Sequence, residues 1–169
     1  MTHVLEQAAN VPTAGPLAEA LAVRHKLMDL TQASYEAALL PGDAGQVPVT
    51  IRAALACRMA RICQQAGLIQ HYADLVAAYG SDADPFQIAE PGNQPPASET
   101  RLAAMVTYVD LVTQRSRDAT KEDIQALSEA GIEESDIVRL AGLVAFVNYQ
   151  LRVAAVLSVM GKDKVGEAK

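Results

Sequence analysis

Residues 51–79 read IRAALACRMARICQQAGLIQHYADLVAAY. Ile51, Leu55, Met59, Ile62 and Ala66 recur at steps of three and four, which puts them on one face of a helix. Arg52, Arg58 and Arg61 flank that face. The helix is expected to begin near Pro48, and Gly67 marks its break or cap. A second helix is expected from about Leu68 to Tyr79, closed by Gly80. Between Asp43 and Asp74 there is no Asp or Glu. The first helix of the pair therefore carries no general base of its own. Its three arginines are candidates to bind an anion or to stabilise a thiolate.

Helical periodicity continues on both sides of this pair. A helix is expected from Pro16 to Leu40, with Leu17, Leu21, Leu27, Leu30 and Leu39 on its pattern and Pro41-Gly42-Asp43 as its stop. Residues 1–15 hold Pro12 and Gly15 without sustained periodicity and read as a flexible tail. Residues 80–97 carry four prolines and read as a long surface connection. Ser98 is placed as the N-cap of a helix whose stripe is Leu102, Met105, Val106, Val109 and Val112 or Thr113. Thr120-Lys121-Glu122-Asp123 has the form of a capping box, with Asp in place of Glu, opening a short helix that ends at Gly131. Ser135 is placed as the cap of the last helix, which runs to about Gly161. That helix is apolar on nearly every side, so it is expected to be central or to lie at a subunit interface. Residues 162–169 read as a charged tail. No segment has a convincing β period. The expectation is an all-α chain of about six helices, folded as a single domain over residues 16–161.

Composition narrows the function classes. The chain has 169 residues, half of them apolar, with 4% aromatics, no tryptophan and a formal net charge of −6. The core must therefore be built largely from alanine, leucine and valine. An acidic chain without a basic stripe is a poor match for nucleic acid. The N-terminus lacks the basic and apolar regions of a signal peptide. The stretch Leu140–Met160 is interrupted by Asn148, Gln150 and Arg152, which argues against a membrane span. The cytoplasm is the expected compartment. No pair of His or acidic residues has a metal-ligand spacing, so neither a metal nor a cofactor is expected.

The cysteines are Cys57 and Cys63. On a regular helix their spacing gives about 240° of rotation and ~9 Å of rise, so they cannot bridge each other. Cys57 falls opposite the Ile51 face and reads as a small buried side chain. Cys63 sits close to the expected break, where the start of a new helix would lower its thiol pKa. It is the better candidate for a reactive thiol. His71 follows two turns later, near enough to pair with Cys63 if the chain kinks near Gly67. Asn148 and Arg152 lie at i, i+4 in the last helix, and a buried Arg there would need a partner.

Together these segments are similar to the alkylhydroperoxidase D-like and carboxymuconolactone decarboxylase (CMD) domain family. The likeness runs through Ala53-Ala54-Leu55-Ala56, Cys63 and His71-Tyr72. It continues through Thr100-Arg101-Leu102-Ala103-Ala104-Met105, Thr120-Lys121-Glu122-Asp123-Ile124, Ala130-Gly131-Ile132, Asp136-Ile137-Val138 and Phe146-Val147-Asn148-Tyr149-Gln150-Leu151-Arg152. Thr31-Gln32-Ala33-Ser34-Tyr35 resembles the peroxidase-related subgroup. The family motif is a Glu, a Cys-x-x-Cys and a His four residues after the second Cys. Here Cys63 matches the first cysteine and Ala66 stands at the second, which in the family attacks the peroxide. Gln70 stands at the His position with His71 next to it, and Ile51 stands near the Glu position.

The resemblance implies an alkylhydroperoxidase-like helical bundle, a homo-oligomer (a trimer or hexamer), and a small-molecule hydroperoxide or organic acid as substrate. With the CxxC motif degenerate, the dithiol cycle is unavailable, and a one-cysteine cycle at Cys63 with an outside thiol is the form peroxidase chemistry could take. The candidate catalytic residues are Cys63 and His71. The candidate substrate-binding residues are Arg52, Arg58 and Tyr72. Two alternatives stand beside a peroxidase-related, antioxidant oxidoreductase. One is a non-redox lyase or isomerase acting on a small organic acid. The other is a non-catalytic oligomeric binding protein.

Overall fold

A computed structural model of the chain describes residues 3–79 and 87–162. Among these residues the fold is all-α, as expected, with eight α-helices and no strand. They are α1 (Val4–Ala8), α2 (Pro16–Val23), α3 (His25–Leu39), α4 (Val49–Ile62), α5 (Ala66–Tyr79), α6 (Thr100–Arg115), α7 (Lys121–Glu129) and α8 (Glu134–Lys162). A single 3₁₀ turn, Ser116–Asp118, follows α6. The expectations for Gly80 and for residues 163–169 lie outside the described residues.

The central helix is α4, and the reason is its alanines. Every side chain from Arg52 to Ala60 is buried. A one-faced stripe was expected here, but Ala53, Ala54, Ala56 and Ala60 are small enough for neighbours to close on every side. Those neighbours are α3, α5, α6 and α8. The last helix, α8, which was expected to be central or at an interface, lies on the outside of this core. It buries Leu140, Leu143, Val144, Val147, Leu151, Ala154 and Leu157. Its opposite face exposes Val138, Tyr149, Val156, Val159 and Met160. By length and mean hydropathy (1.6) α8 is long and apolar enough to cross a membrane, yet its inner face is a core face and its polar Asn148 and Gln150 are buried in protein.

Several boundaries differ from the sequence reading. The stretch read as a loose tail carries α1, whose Leu5, with Ala8 and Ala9, is buried. His3 anchors it, with Nδ1 at 2.8 Å from Glu6 and Nε2 at 3.0 Å from Asp29 on α3. The first long helix is two, broken at Arg24 (φ −101°, ψ 18°) where neither Pro nor Gly announces a break. Within α3 the buried stripe is Met28, Thr31, Tyr35 and Leu39, while Leu27 and Leu30 face outward. Ser98 does not cap α6, which starts after Glu99 without a side-chain cap. Ser135 lies inside the first turn of α8. The capping box of α7 is present: the Thr120 amide donates to Asp123 Oδ2 at 2.8 Å.

The α4–α5 break lies at Gln64, not at Gly67. Gln64 takes a left-handed φ of 55°. Its N–H donates to Arg61 O at 3.1 Å, and that of Gln65 to Ala60 O at 3.0 Å. This pair of bonds is the Schellman closure, in which a left-handed residue satisfies the last carbonyls of a helix. Gly67 has another task. It sits in the first turn of α5 against α1, and a Cβ there would fall 1.8 Å from the Ala8 carbonyl oxygen.

Gly67→Ala therefore sets a gain in helix propensity of about 1 kcal/mol against a backbone clash. The clash should win, with a net loss of about 1–3 kcal/mol as α1 is pushed away. Chemical denaturation measures it, and a stabilised variant would mean that α1 does not dock here.

Candidate functional site

Cys63 is the C-cap residue of α4, held there by the Schellman turn that follows it. Its side chain is exposed, whereas Cys57 is 1% exposed with Sγ 3.8 Å from the Ile69 carbonyl. Cys63 opens on a groove of about 390 Å³ lined by Gln64, Gln65, Leu151, Arg152, Ala155 and Ser158. Gln64, Gln65 and Ser158 also line a second hollow of about 600 Å³ that extends to Lys162, so the thiol stands at one end of a longer furrow. Partial burial pushes the Cys63 thiol up from its ordinary pKa, and the Arg152 guanidinium pulls it down by less. The expected helix-start effect is absent because Cys63 closes α4 at its negative end, and α5 starts three residues later.

Arg152 is exposed, where a buried side chain had been envisaged. Its Nη1 turns back onto Asn148, at 2.8 Å from the backbone oxygen and 3.0 Å from Oδ1. Among the described residues no carboxylate pairs with it. It is a cation that shares a groove with the thiol.

The other candidates lie elsewhere. His71 is half-buried on α5, its Nε2 at 2.9 Å from Tyr35 Oη on α3. Tyr35 in turn stacks edge-on to Phe146, 6.4 Å away. That places His71 near the Phe146 level of α8, whereas Cys63 faces residues 151–158, more than a turn further along. His71 is not among the residues that line the Cys63 groove. Burial holds the His71 ring below its usual pKa, opposed by Asp74, and raises Tyr35 to about 12.

Arg58 is 1% exposed and committed to the protein. Nε and Nη2 fork onto Asp110 at 2.6 and 2.7 Å, and Nη1 reaches the carbonyls of Ile88, Glu90 and Asn93. Arg52, 2% exposed, donates to the carbonyls of Val47, Ala38 and Ala44. Tyr72 is wholly buried, its hydroxyl donating to Gln150 Oε1. These three, expected to bind substrate, hold the fold together instead. Asp110 escaped the sequence reading, and Gln150 was read only as an interruption of the apolar stretch. Gln150 is 1% exposed, and its Nε2 finds no partner among the described residues. A glutamine inside an apolar helix was the available signal. Ile51 lies in a separate cavity of about 590 Å³ that holds none of the candidates. No cluster of metal-ligating side chains occurs among the described residues.

Two outcomes follow from these environments. Arg58→Met leaves Asp110 and three carbonyls without their donor, so denaturation should show a loss of about 3–5 kcal/mol, the size seen when a buried pair is broken. An unfolded chain takes up a proton near pH 6.5 that buried His71 resists. Stability from His71 is therefore present above that pH and lost as pH falls through its lower folded value. His3, raised mainly by its bond to Glu6 and also by Asp29, contributes in the opposite sense. The stability difference between the parent chain and His71→Asn should thus shrink between neutral pH and about pH 5. A constant difference would refute the burial argument.

No protein-family model matches the chain, and no curated protein sequence matches it. Among solved structures it matches an uncharacterized peroxidase-related protein from Silicibacter sp. TM1040, with a TM-score of 0.70. The match covers 90% of each chain at 17% sequence identity. At that identity the likeness is one of fold: the chain shares the helical architecture of a protein described as peroxidase-related.

Proposed function

We propose that the chain is a peroxidase-related thiol protein that reduces small organic hydroperoxides with one cysteine, Cys63. The observation that supports this is the exposed thiol in a groove beside a cation that has no carboxylate partner among the described residues. In the reaction the Cys63 thiolate attacks the terminal peroxide oxygen. An S–O bond forms, the O–O bond breaks, and the alkoxide leaves with a proton from solvent as the alcohol. Arg152 favours the thiolate and the developing alkoxide. Cysteine is oxidised to sulfenic acid and the hydroperoxide is reduced. Two equivalents of a low-molecular-weight thiol then return Cys63 to the thiol, releasing water and a disulfide. Cys57 is too deeply buried, and too far along α4, to resolve the sulfenic acid.

A second reading is a non-catalytic protein that keeps the fold for assembly. What favours it is the raised Cys63 thiol, which leaves little thiolate at neutral pH. The organic-acid reading has less support, because the donors of Arg52 and Arg58 are turned to the protein's own oxygens.

The test is to treat the reduced protein with an organic hydroperoxide in the presence of a sulfenic-acid trap and to locate the adduct by mass spectrometry. The expected result is selective trapping at Cys63, faster at higher pH as the thiol ionises, with Cys57 unmodified. Arg152→Met should slow trapping roughly two- to fivefold, the size of one partly solvated charge interaction. If Cys63 stays reduced while free glutathione in the same tube oxidises, the peroxidase reading fails and the non-catalytic one stands.

A further inference from the structure

The two hollows beside Cys63 form one furrow, because Gln64, Gln65 and Ser158 line both. Their volumes are about 390 and 600 Å³, the size that holds a small organic ligand. The thiol stands at one end and Lys162 at the other. Between them the walls are largely carbon: Leu151 and Ala155 on α8, Ala8 and Ala9 at the end of α1, and Pro12 beyond it. Three elements close the floor. Ser158 Oγ on α8 donates to the Ala9 carbonyl at 3.3 Å. Gly67 on α5 admits the Ala8 carbonyl, and Gly161 faces Pro12 and Asn10. The charges along the furrow have one sign. The chain carries 20 acidic residues, yet among the described residues none lines either hollow, and the charged side chains there are Arg152 and Lys162. A furrow that is apolar along its length and cationic towards its ends is complementary to an amphiphilic acid rather than to a neutral or cationic molecule.

We infer that this furrow receives the hydroperoxide of a long-chain carboxylic acid, with the carboxylate at Lys162, the chain along the alanines and the hydroperoxide at Cys63. The inference rests on the peroxidase reading of Cys63 and adds a substrate to it. Spacing sets where the peroxide must be. Cys63 faces the stretch of α8 from Leu151 to Ser158, and Lys162 lies about two turns beyond the middle of that stretch, or ~11 Å along the helix. An extended chain advances about 3.5 Å for every three bonds, so roughly nine bonds span that gap. The hydroperoxide is therefore carried mid-chain. Arg152 is not the partner of the carboxylate. It stands at the level of the thiol, where a bound carboxylate would oppose formation of the thiolate, and its Nη1 is held by Asn148. Lys162 is a flexible point charge that a carboxylate can approach from several directions. The atoms balance as in the peroxidase step: Cys63 takes one peroxide oxygen as sulfenic acid, and the other leaves as the hydroxyl of the hydroxy acid.

Initial rates of sulfenic-acid trapping at Cys63, read by mass spectrometry at substrate concentrations too low for micelles, test the inference. A long-chain acid hydroperoxide with its peroxide about nine bonds from the carboxylate is compared with its methyl ester. The acid should trap Cys63 roughly two- to fivefold faster, the size of one partly solvated charge pair. It should also outrun the positional isomer whose peroxide lies several carbons further along the chain. Lys162→Gln should remove the preference for acid over ester, and added salt should weaken that preference in the parent chain. Arg152→Met should slow acid and ester alike. A short alkyl hydroperoxide, tert-butyl hydroperoxide, reports on Cys63 itself. If it traps Cys63 while acid and ester react equally, or while the two isomers do, the substrate assignment is overturned and the peroxidase reading stands. The same holds if Lys162→Gln keeps the preference of the parent chain, or if Arg152→Met removes it. If neither the short hydroperoxide nor the acid traps Cys63, both are overturned.

Discussion

The fold depends on burying one helix on every side. A helix enclosed in this way can carry polar side chains only if each finds a partner, because an unpaired charge away from water is very costly. Helix α4 carries two such charges, Arg52 and Arg58, and both are provided for. Arg58 gathers α6 through Asp110 and fastens the segment Ile88–Asn93 through three carbonyls. Arg52 fastens the end of α3 and the loop before α4 in the same manner. Two cations thus organise the long connections, alongside the buried Val47, Ile88 and Ala89.

That arrangement limits the chemistry available. The arginines that would be natural anion binders are engaged in structure, and the cation that lines the groove of the exposed thiol, among the described residues, is Arg152, on another helix. Chemistry is displaced from the centre of the bundle to the end of α4. There the chain must reverse through a left-handed glutamine, and the last side chain of the helix is left exposed. A C-terminal helix end is a poor place to ionise a thiol. This is why Arg152, rather than the backbone, carries the electrostatic part of the proposed reaction.

Much of this fold is legible in the sequence, and what is not has identifiable causes. The all-α class, the α4–α5 pair, the α6 stripe and the α7 capping box follow from periodicity and local hydrogen-bonding chemistry, which act over a few residues. The break at Arg24 and the docking of α1 do not, because tertiary contacts decide them. Gly67 was visible as a glycine, but its role is to admit the Ala8 carbonyl, a contact between residues 59 positions apart in the chain. The site was half legible. Cys63 could be singled out as the better thiol. That Arg152 rather than His71 stands beside it depends on how α8 lies along the end of α4.

Helix α8, expected to be central or to lie at a subunit interface, is covered on one face only in the single chain. Helix α8 is apolar all round, which ordinarily signals burial on all sides. In the single chain one of its faces is covered and the other is not. Helix α4, with three arginines, is the one enclosed, because alanines let neighbours approach and buried oxygens satisfy the guanidinium groups. An outer face rich in valine adds nothing to the stability of the isolated chain and raises its risk of non-specific association.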